Sequence, residues 1–178
     1  MLEGLIREST AKSATKALRR DGYLLANIYG GGQPNINAAF KRNDFVRFVK
    51  GKTALAFDVK VGGEKRSVMI EEYQKDPVTG DLLHVDLRVV AKDKEARYLV
   101  PVKTTGTPKG LKNKGVFIMM KKRLPVKCLG KNLPSAFEIE VSQLDVGDTI
   151  LVRDIKEIKG VKILLGPSVA VTGVIKAK

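Results

Sequence analysis

The chain has 178 residues, 43% of them hydrophobic, enough for one large or two small domains with a packed interior and too many for a disordered tail. Against 19 Asp and Glu stand 33 Lys and Arg, a formal charge of +14 and a pI of about 9.9, which predicts attraction to polyanions, nucleic acid ahead of an anionic membrane surface. A single cysteine, Cys128, excludes an internal disulfide or thiolate metal cluster, and a single histidine, His84, excludes a multi-histidine metal site; no membrane-length apolar run or secretion signal is visible, so a cytosolic protein is expected.

In chain order, residues 1–7 (MLEGLIR) read as a short strand ending at Arg7. Ser9 to Arg20 combines capping residues with good helix formers and is followed by Gly22, which predicts a short helix stopped by glycine. Lys12, Lys16, Arg19 and Arg20 recur at spacings of three and four, so most share one helix face and form a candidate phosphate-binding surface. Tyr23 to Tyr29 reads as a strand broken by Gly30-Gly31-Gly32. No helix with a following Lys-Ser or Lys-Thr pair appears after these glycines, so a mobile turn is expected there and not a phosphate cradle. Asn35 to Phe40 is another strand. Asn43-Asp44 is expected to cap a second helix that turns Phe45, Val46, Phe48 and Val49 inward and ends at Gly51. Thr53 to Val61 and Glu64 to Tyr73 flank Gly62-Gly63 and predict a hairpin.

The most informative stretch is Glu71 to Arg88, EEYQKDPVTGDLLHVDLR. Beyond the turn-forming DPVTGD run, Leu83, Val85, Leu87 and Val89 fall on one face of an extended strand, while His84, Asp86 and Arg88 fall on the other. One face is core. The other is a row of imidazole, carboxylate and guanidinium suited to reading hydrogen-bonding edges, with Gln74 and Lys75 brought close by the turn. His84 and Asp86 stand parallel at i and i+2, which is not the geometry of a base gripped by a carboxylate behind it, and no motif offers a nucleophile; no enzymatic activity is expected. Taken alone, such a row is also what an ordinary solvated sheet face looks like.

A polar, aperiodic segment, Ala91 to Ala96, marks the expected domain boundary. Beyond it, strands are expected over Tyr98–Thr104, Val116–Met120, Pro125–Leu129, Ala136–Val141, Thr149–Val152, Val161–Leu165 and Ser168–Ile175, with no clear helix. Residues 97–131 hold ten Lys or Arg and no Asp or Glu. Residues 1–95 carry 17 basic and 13 acidic side chains and residues 96–178 carry 16 and 6, so most of the excess charge lies in the second half. The expected fold is mainly β: a β-barrel-like domain with two short helices over residues 1–93, and a β-sandwich-like domain over residues 97–178.

The order RES, ALRRDG, IYGG and YQKDPVTGDLLHVDL resembles the family of bacterial large-ribosomal-subunit protein twenty-five, in its two-domain form also called general stress protein CTC. GTPKGLKNKGVF, VKCLGKNLPSAFEIEVSQLDVGD and PSVAVTGV resemble the added second domain of that form. Leu25 and Leu87 depart from the proline and phenylalanine common in the family, at apolar positions. The resemblance implies a cytoplasmic structural constituent of the large ribosomal subunit that binds 5S ribosomal RNA at its loop E through a barrel. It places RNA contacts on Arg7, Arg19, Tyr29, His84 and Asp86, with Gln74 nearby. Lys12, Lys16, Arg20 and Arg88 join them as neighbouring cations.

The chemistry of these residues fits that implication. Arg7, Arg19 and the lysines can neutralise phosphates, Tyr29 can stack or donate its hydroxyl, and His84 can bond a ribose 2′-OH or a base edge. Asp86 faces a polyanion at a cost unless it accepts from base amino or imino groups or meets a hydrated Mg²⁺ carried by the RNA, so it is expected to select shape or sequence. No cofactor of the protein's own is expected. Lys109, Lys112 and Lys114 are candidate contacts of the second domain to a further ribosomal RNA segment or an acidic neighbouring protein. Two other functions fit the same composition: a stress-associated RNA-binding protein acting away from the ribosome, and a β-domain adaptor whose charge is incidental.

Overall fold

The computed structural model describes residues 1–177. They form two compact units, Met1–Lys92 and a second that begins at Asp93. In the first, β1 (Leu2–Ile6), β2 (Tyr23–Gly30), β3 (Gln33–Lys41), β4 (Phe57–Val61), β5 (Glu64–Lys75) and β6 (Leu82–Val89) close into a barrel in the order β1-β3-β2-β6-β5-β4. Two helices, α1 (Lys12–Arg20) and α2 (Arg42–Gly51), occupy connections between strands. The expected mainly-β architecture, with a barrel and two short helices, is the one observed.

Period-two alternation builds the interior. Leu24, Ala26 and Ile28 from β2, Ala38 and Phe40 from β3, Val59 and Val61 from β4, and Val85 and Leu87 from β6 are all buried in one cluster. Ala26 and Ala38 are cross-strand partners, and two small side chains at that level fit a barrel that also holds the large rings of Phe40 and Phe45, 5.8 Å apart. A β-carbon at Gly4 would run into the Phe40 ring, so β1 can lie against it only with glycine there.

Several boundaries differ from the sequence expectation. Helix α1 starts at Lys12, not Ser9, because the Ser9 hydroxyl accepts the Ala11 N–H at 3.2 Å and holds residues 9–11 in a turn; the expected exit is found, with Gly22 at φ +80°. Helix α2 follows directly from β3 at Arg42, without a side-chain cap, so Asn43 and Asp44 lie in its first turn, where the Asp44 carboxylate meets the positive end of the helix dipole. Phe45 is buried and Phe48 and Val49 pack against the core, whereas Val46 lines a shallow groove with Arg42, Lys75 and Asp81. Strand β4 begins at Phe57 and not at Thr53. At the start of β6 the ladder slips between Gln74 and Lys75, and Leu82, in place of Leu83, packs on the core.

The second unit contains β7 (Glu95–Thr105), β8 (Gly115–Met119), β9 (Arg123–Leu129), β10 (Phe137–Glu140), β11 (Thr149–Leu151), β12 (Val161–Ile163) and β13 (Ala170–Lys176). They form a four-stranded sheet, β10-β7-β9-β12, and a three-stranded sheet, β11-β13-β8. Tyr98, Val100, Leu124, Val126, Phe137, Val171 and Val174 are buried, as is Cys128, whose thiol pKa is pushed up chiefly by burial. No helix among the described residues is long and apolar enough to cross a membrane.

Candidate nucleic-acid interface

The row His84, Asp86, Arg88 lies on the outer face of the barrel, at the centre of three adjacent strands. On one side β2 pairs with β6 in parallel, placing Leu25 beside His84, Asn27 beside Asp86 and Tyr29 beside Arg88. On the other side β5 pairs antiparallel, placing Gln74 opposite His84, Glu72 opposite Asp86 and Met69 opposite Arg88. A bulge between Ile70 and Glu72 leaves Glu71 without a ladder partner and turns its side chain toward Arg88, with Oε2 3.8 Å from Nη1. Strand β3 adds Asn37 next to Asn27. The result is a polar patch whose middle row runs Asn37, Asn27, Asp86, Glu72.

Helix α1 packs on β2, which accounts for Leu25 being buried although its alternation turns it away from the barrel interior. Arg7 ties the start of this helix to the barrel: its Nη2 donates to Thr15 Oγ1 at 2.9 Å and to the Ser9 carbonyl at 3.5 Å, while its backbone N–H donates to the Asn37 carbonyl. The Arg7 guanidinium is thus partly committed to positioning α1. Arg19, exposed at the end of the helix, acts electrostatically on His84, as does Arg7. Lys12, Lys16 and Arg20 recur every four residues on the solvent side of α1 and are exposed.

The face carries both signs of charge. Burial lowers the His84 pKa from its ordinary 6.5; Asp86, whose Oδ1 is 3.4 Å from Nδ1, opposes this, while Arg19 and Arg7 reinforce it. His84 is therefore neutral at pH 7, with one ring nitrogen a donor and the other an acceptor. A histidine with a depressed folded-state pKa contributes stability that is complete above pH 6.5 and is lost as pH falls through the folded value, because the unfolded chain takes the proton first. The urea midpoint of the first unit is expected to drop between pH 7.5 and 5.5 by more in the wild type than in His84→Gln; parallel profiles would contradict this assignment. Tyr29 is pushed upward by burial and by Asp86 and Glu71, against a smaller opposing effect of Arg88, so its hydroxyl stays a hydrogen-bond donor.

Five buried side-chain polar atoms among the described residues lack a hydrogen-bond partner, and three belong to this region: Arg7 Nε, Asn27 Oδ1 and Glu71 Oε2. Such groups are costly in a finished interior and are commonly completed by a ligand or water. Nothing in the local sequence marks Asn27, Glu71 or Glu72 as members of this face. The orientation of Asn27 is readable from its alternation with Ala26 and Ile28, but its place beside Asp86 is visible only once β2 is paired with β6. No cluster of His, Cys, Asp or Glu among the described residues has a metal-holding arrangement.

In the second unit Lys109, Lys112 and Lys114 are exposed on the loop before β8. The Lys109 ammonium donates to Gln143 Oε1, and Lys114 takes a left-handed conformation at φ +57° while its carbonyl accepts the Ala177 N–H.

Residues 2–87 match the Ribosomal L25p family, and residues 95–178 match the family described as Ribosomal protein TL5, C-terminal domain. Similar proteins include those named large ribosomal subunit protein bL25 from Wolinella succinogenes (62% identical), Helicobacter hepaticus (60%) and Nitratiruptor sp. (59%), each aligned over 178 residues that span the whole of both chains. With its barrel matched by one family and its second unit by the other, the chain belongs to the ribosomal L25p family, in the long form that carries a TL5-type C-terminal domain.

Proposed function

We propose that this chain is a structural, non-enzymatic constituent of the large ribosomal subunit that docks the outer face of β2, β6 and β5 on 5S ribosomal RNA, at an internal loop. The observation that carries the proposal is the patch itself: Tyr29, His84, Asp86 and Arg88 lie on adjacent strands within reach of Arg7 and Arg19, beside buried polar atoms that lack a hydrogen-bond partner. A surface that only bound phosphate would gain nothing from Asp86, Glu71 and Glu72 at its centre. Acceptors bordered by cations suit a groove in which base edges are presented between two phosphate backbones. Regular A-form RNA offers side chains little sequence information, whereas non-Watson–Crick pairs alter the groove and expose donors.

Filter binding of the full chain to 5S RNA and to a length-matched unrelated RNA, over a salt series, tests this reading. Preference for 5S RNA that persists at high salt supports it; equal affinities with equal slopes overturn it. Co-sedimentation with large subunits separates a ribosomal role from one away from the ribosome. Arg19→Ala is expected to flatten the slope of log K against log salt by about 1, the signature of one lost phosphate contact; an unchanged slope would remove Arg19 from the phosphate set.

For the second unit, ten cations without an acid over residues 97–131 favour an anionic contact within the subunit, another ribosomal RNA segment or an acidic protein, at Lys112 and Lys114 with Lys109 beside them. Footprints of the full chain and of residues 1–95 on subunit RNA distinguish the two: protection unique to the full chain indicates RNA, and identical footprints rule out an RNA contact.

A further inference from the structure

We propose that Asn27 is a specificity-determining residue of this face, sharing with Asp86 a single exocyclic amino group of the RNA, and that this group is the 2-amino of a guanine. The inference rests on the 5S-docking reading above and adds to it a residue and a base.

Asn27 and Asp86 are register partners across the parallel β2–β6 pair, and both point outward. Neighbouring strands lie about 4.7–4.9 Å apart, and partners on one face keep about that spacing at their β-carbons. An amino nitrogen that donates both hydrogens, each over about 2.9 Å and about 120° apart, needs its two acceptors about 5 Å from each other. The spacing of the two side chains therefore suits one –NH₂ placed between them, with the carboxylate accepting one hydrogen and the amide oxygen the other.

The state of the amide supports this role. Asn27 Oδ1 is buried without a hydrogen-bond partner, while the residue as a whole is only half-buried. Turning the amide about its soft terminal torsion brings the oxygen to the surface at the cost of no bond of its own, with the amide nitrogen taking its place. Glu72, on the other side of Asp86, is also an acceptor, but a donor held between two carboxylates would leave them repelling one another. The neutral amide on the β2 side avoids that repulsion.

Adenine, cytosine and guanine all carry amino groups, yet only guanine presents one in the minor groove, and in RNA that is the wide groove open to side chains. An acceptor pair on the convex face of a barrel reaches that groove without entering the narrow one.

The test uses the full chain and 5S RNA in which guanines are replaced by inosine, which lacks only the 2-amino group. With wild-type protein, inosine at one or more loop guanines is expected to weaken binding about thirtyfold or more, in line with losing one neutral and one charged hydrogen bond. Asn27→Ala is expected to weaken binding of natural RNA several-fold and to shrink the inosine penalty at that guanine, since the two changes remove the same interaction. Its stability should not fall, because a buried acceptor without a partner is removed and not a bond. The inference is overturned if no guanine responds to inosine, if Asn27→Ala binds natural RNA like wild type, or if it keeps the full inosine penalty. Failure of the underlying reading looks different: wild-type protein would then show no preference for 5S RNA at all.

Discussion

Asp86→Ala is expected to weaken binding to 5S RNA by about 1–3 kcal/mol, roughly five- to 150-fold, while leaving unrelated RNA bound as tightly as before or slightly more so. The opposite signs follow from where the carboxylate sits. Asp86 lies between Asn27 and Glu72, with His84 Nδ1 at 3.4 Å and the Glu71–Arg88 pair nearby. Toward phosphates an anion there is repulsive, and removing it helps any polyanion approach. Toward base amino or imino groups it is a strong charge-assisted acceptor, and removing it leaves those donors desolvated and unpaired. Paired titrations of the variant with cognate and unrelated RNA at one salt concentration decide the matter. Equal losses on both would show that Asp86 supports the fold of the face and reads nothing.

Phe40→Ala is expected to destabilise the barrel by about 3–5 kcal/mol, the usual cost of emptying a buried phenylalanine site. The site is poorly able to collapse. Phe40 is fully buried, its ring packs against Phe45 from α2, it is the cross-strand partner of Leu24 in β2, and β1 lies against it at Gly4. Three elements would have to move inward together to fill the space, and each is fixed by its own ladder or helix. Hydrogen exchange of peptides from β2 and β4 over a urea series reports the loss within the first unit; a loss below about 1 kcal/mol would mean the barrel repacks around the gap.

Much of this face could be read from sequence because strands alternate with period two. Counting alone places His84, Asp86 and Arg88 opposite Val85 and Leu87, and the barrel interior follows from the same rule applied to YLLANIY and FDVKV. What counting cannot supply is which strand lies beside which. The parallel pairing of β2 with β6 joins residues more than fifty positions apart, and nothing local to Asn27 announces Asp86. The bulge at Glu71 escaped for a related reason: EEYQK alternates no differently with or without an extra residue until the opposite strand is known. At the helix ends local signals competed. Ser9 has the chemistry of a cap but spends its hydroxyl on a turn, and Asn43-Asp44 resembles a cap although the chain enters α2 straight from β3.

The parallel seam between β2 and β6 has a consequence for synthesis. Tyr29 and Asn27 leave the peptidyl-transferase centre long before His84 and Asp86, and the two halves of the face meet only when the last strand of the barrel is inserted between β2 and β5. A nascent or truncated chain ending before residue 82 carries the cations of α1 but lacks His84, Asp86 and Arg88 of β6. The face is thus completed in one step, when β6 closes the barrel.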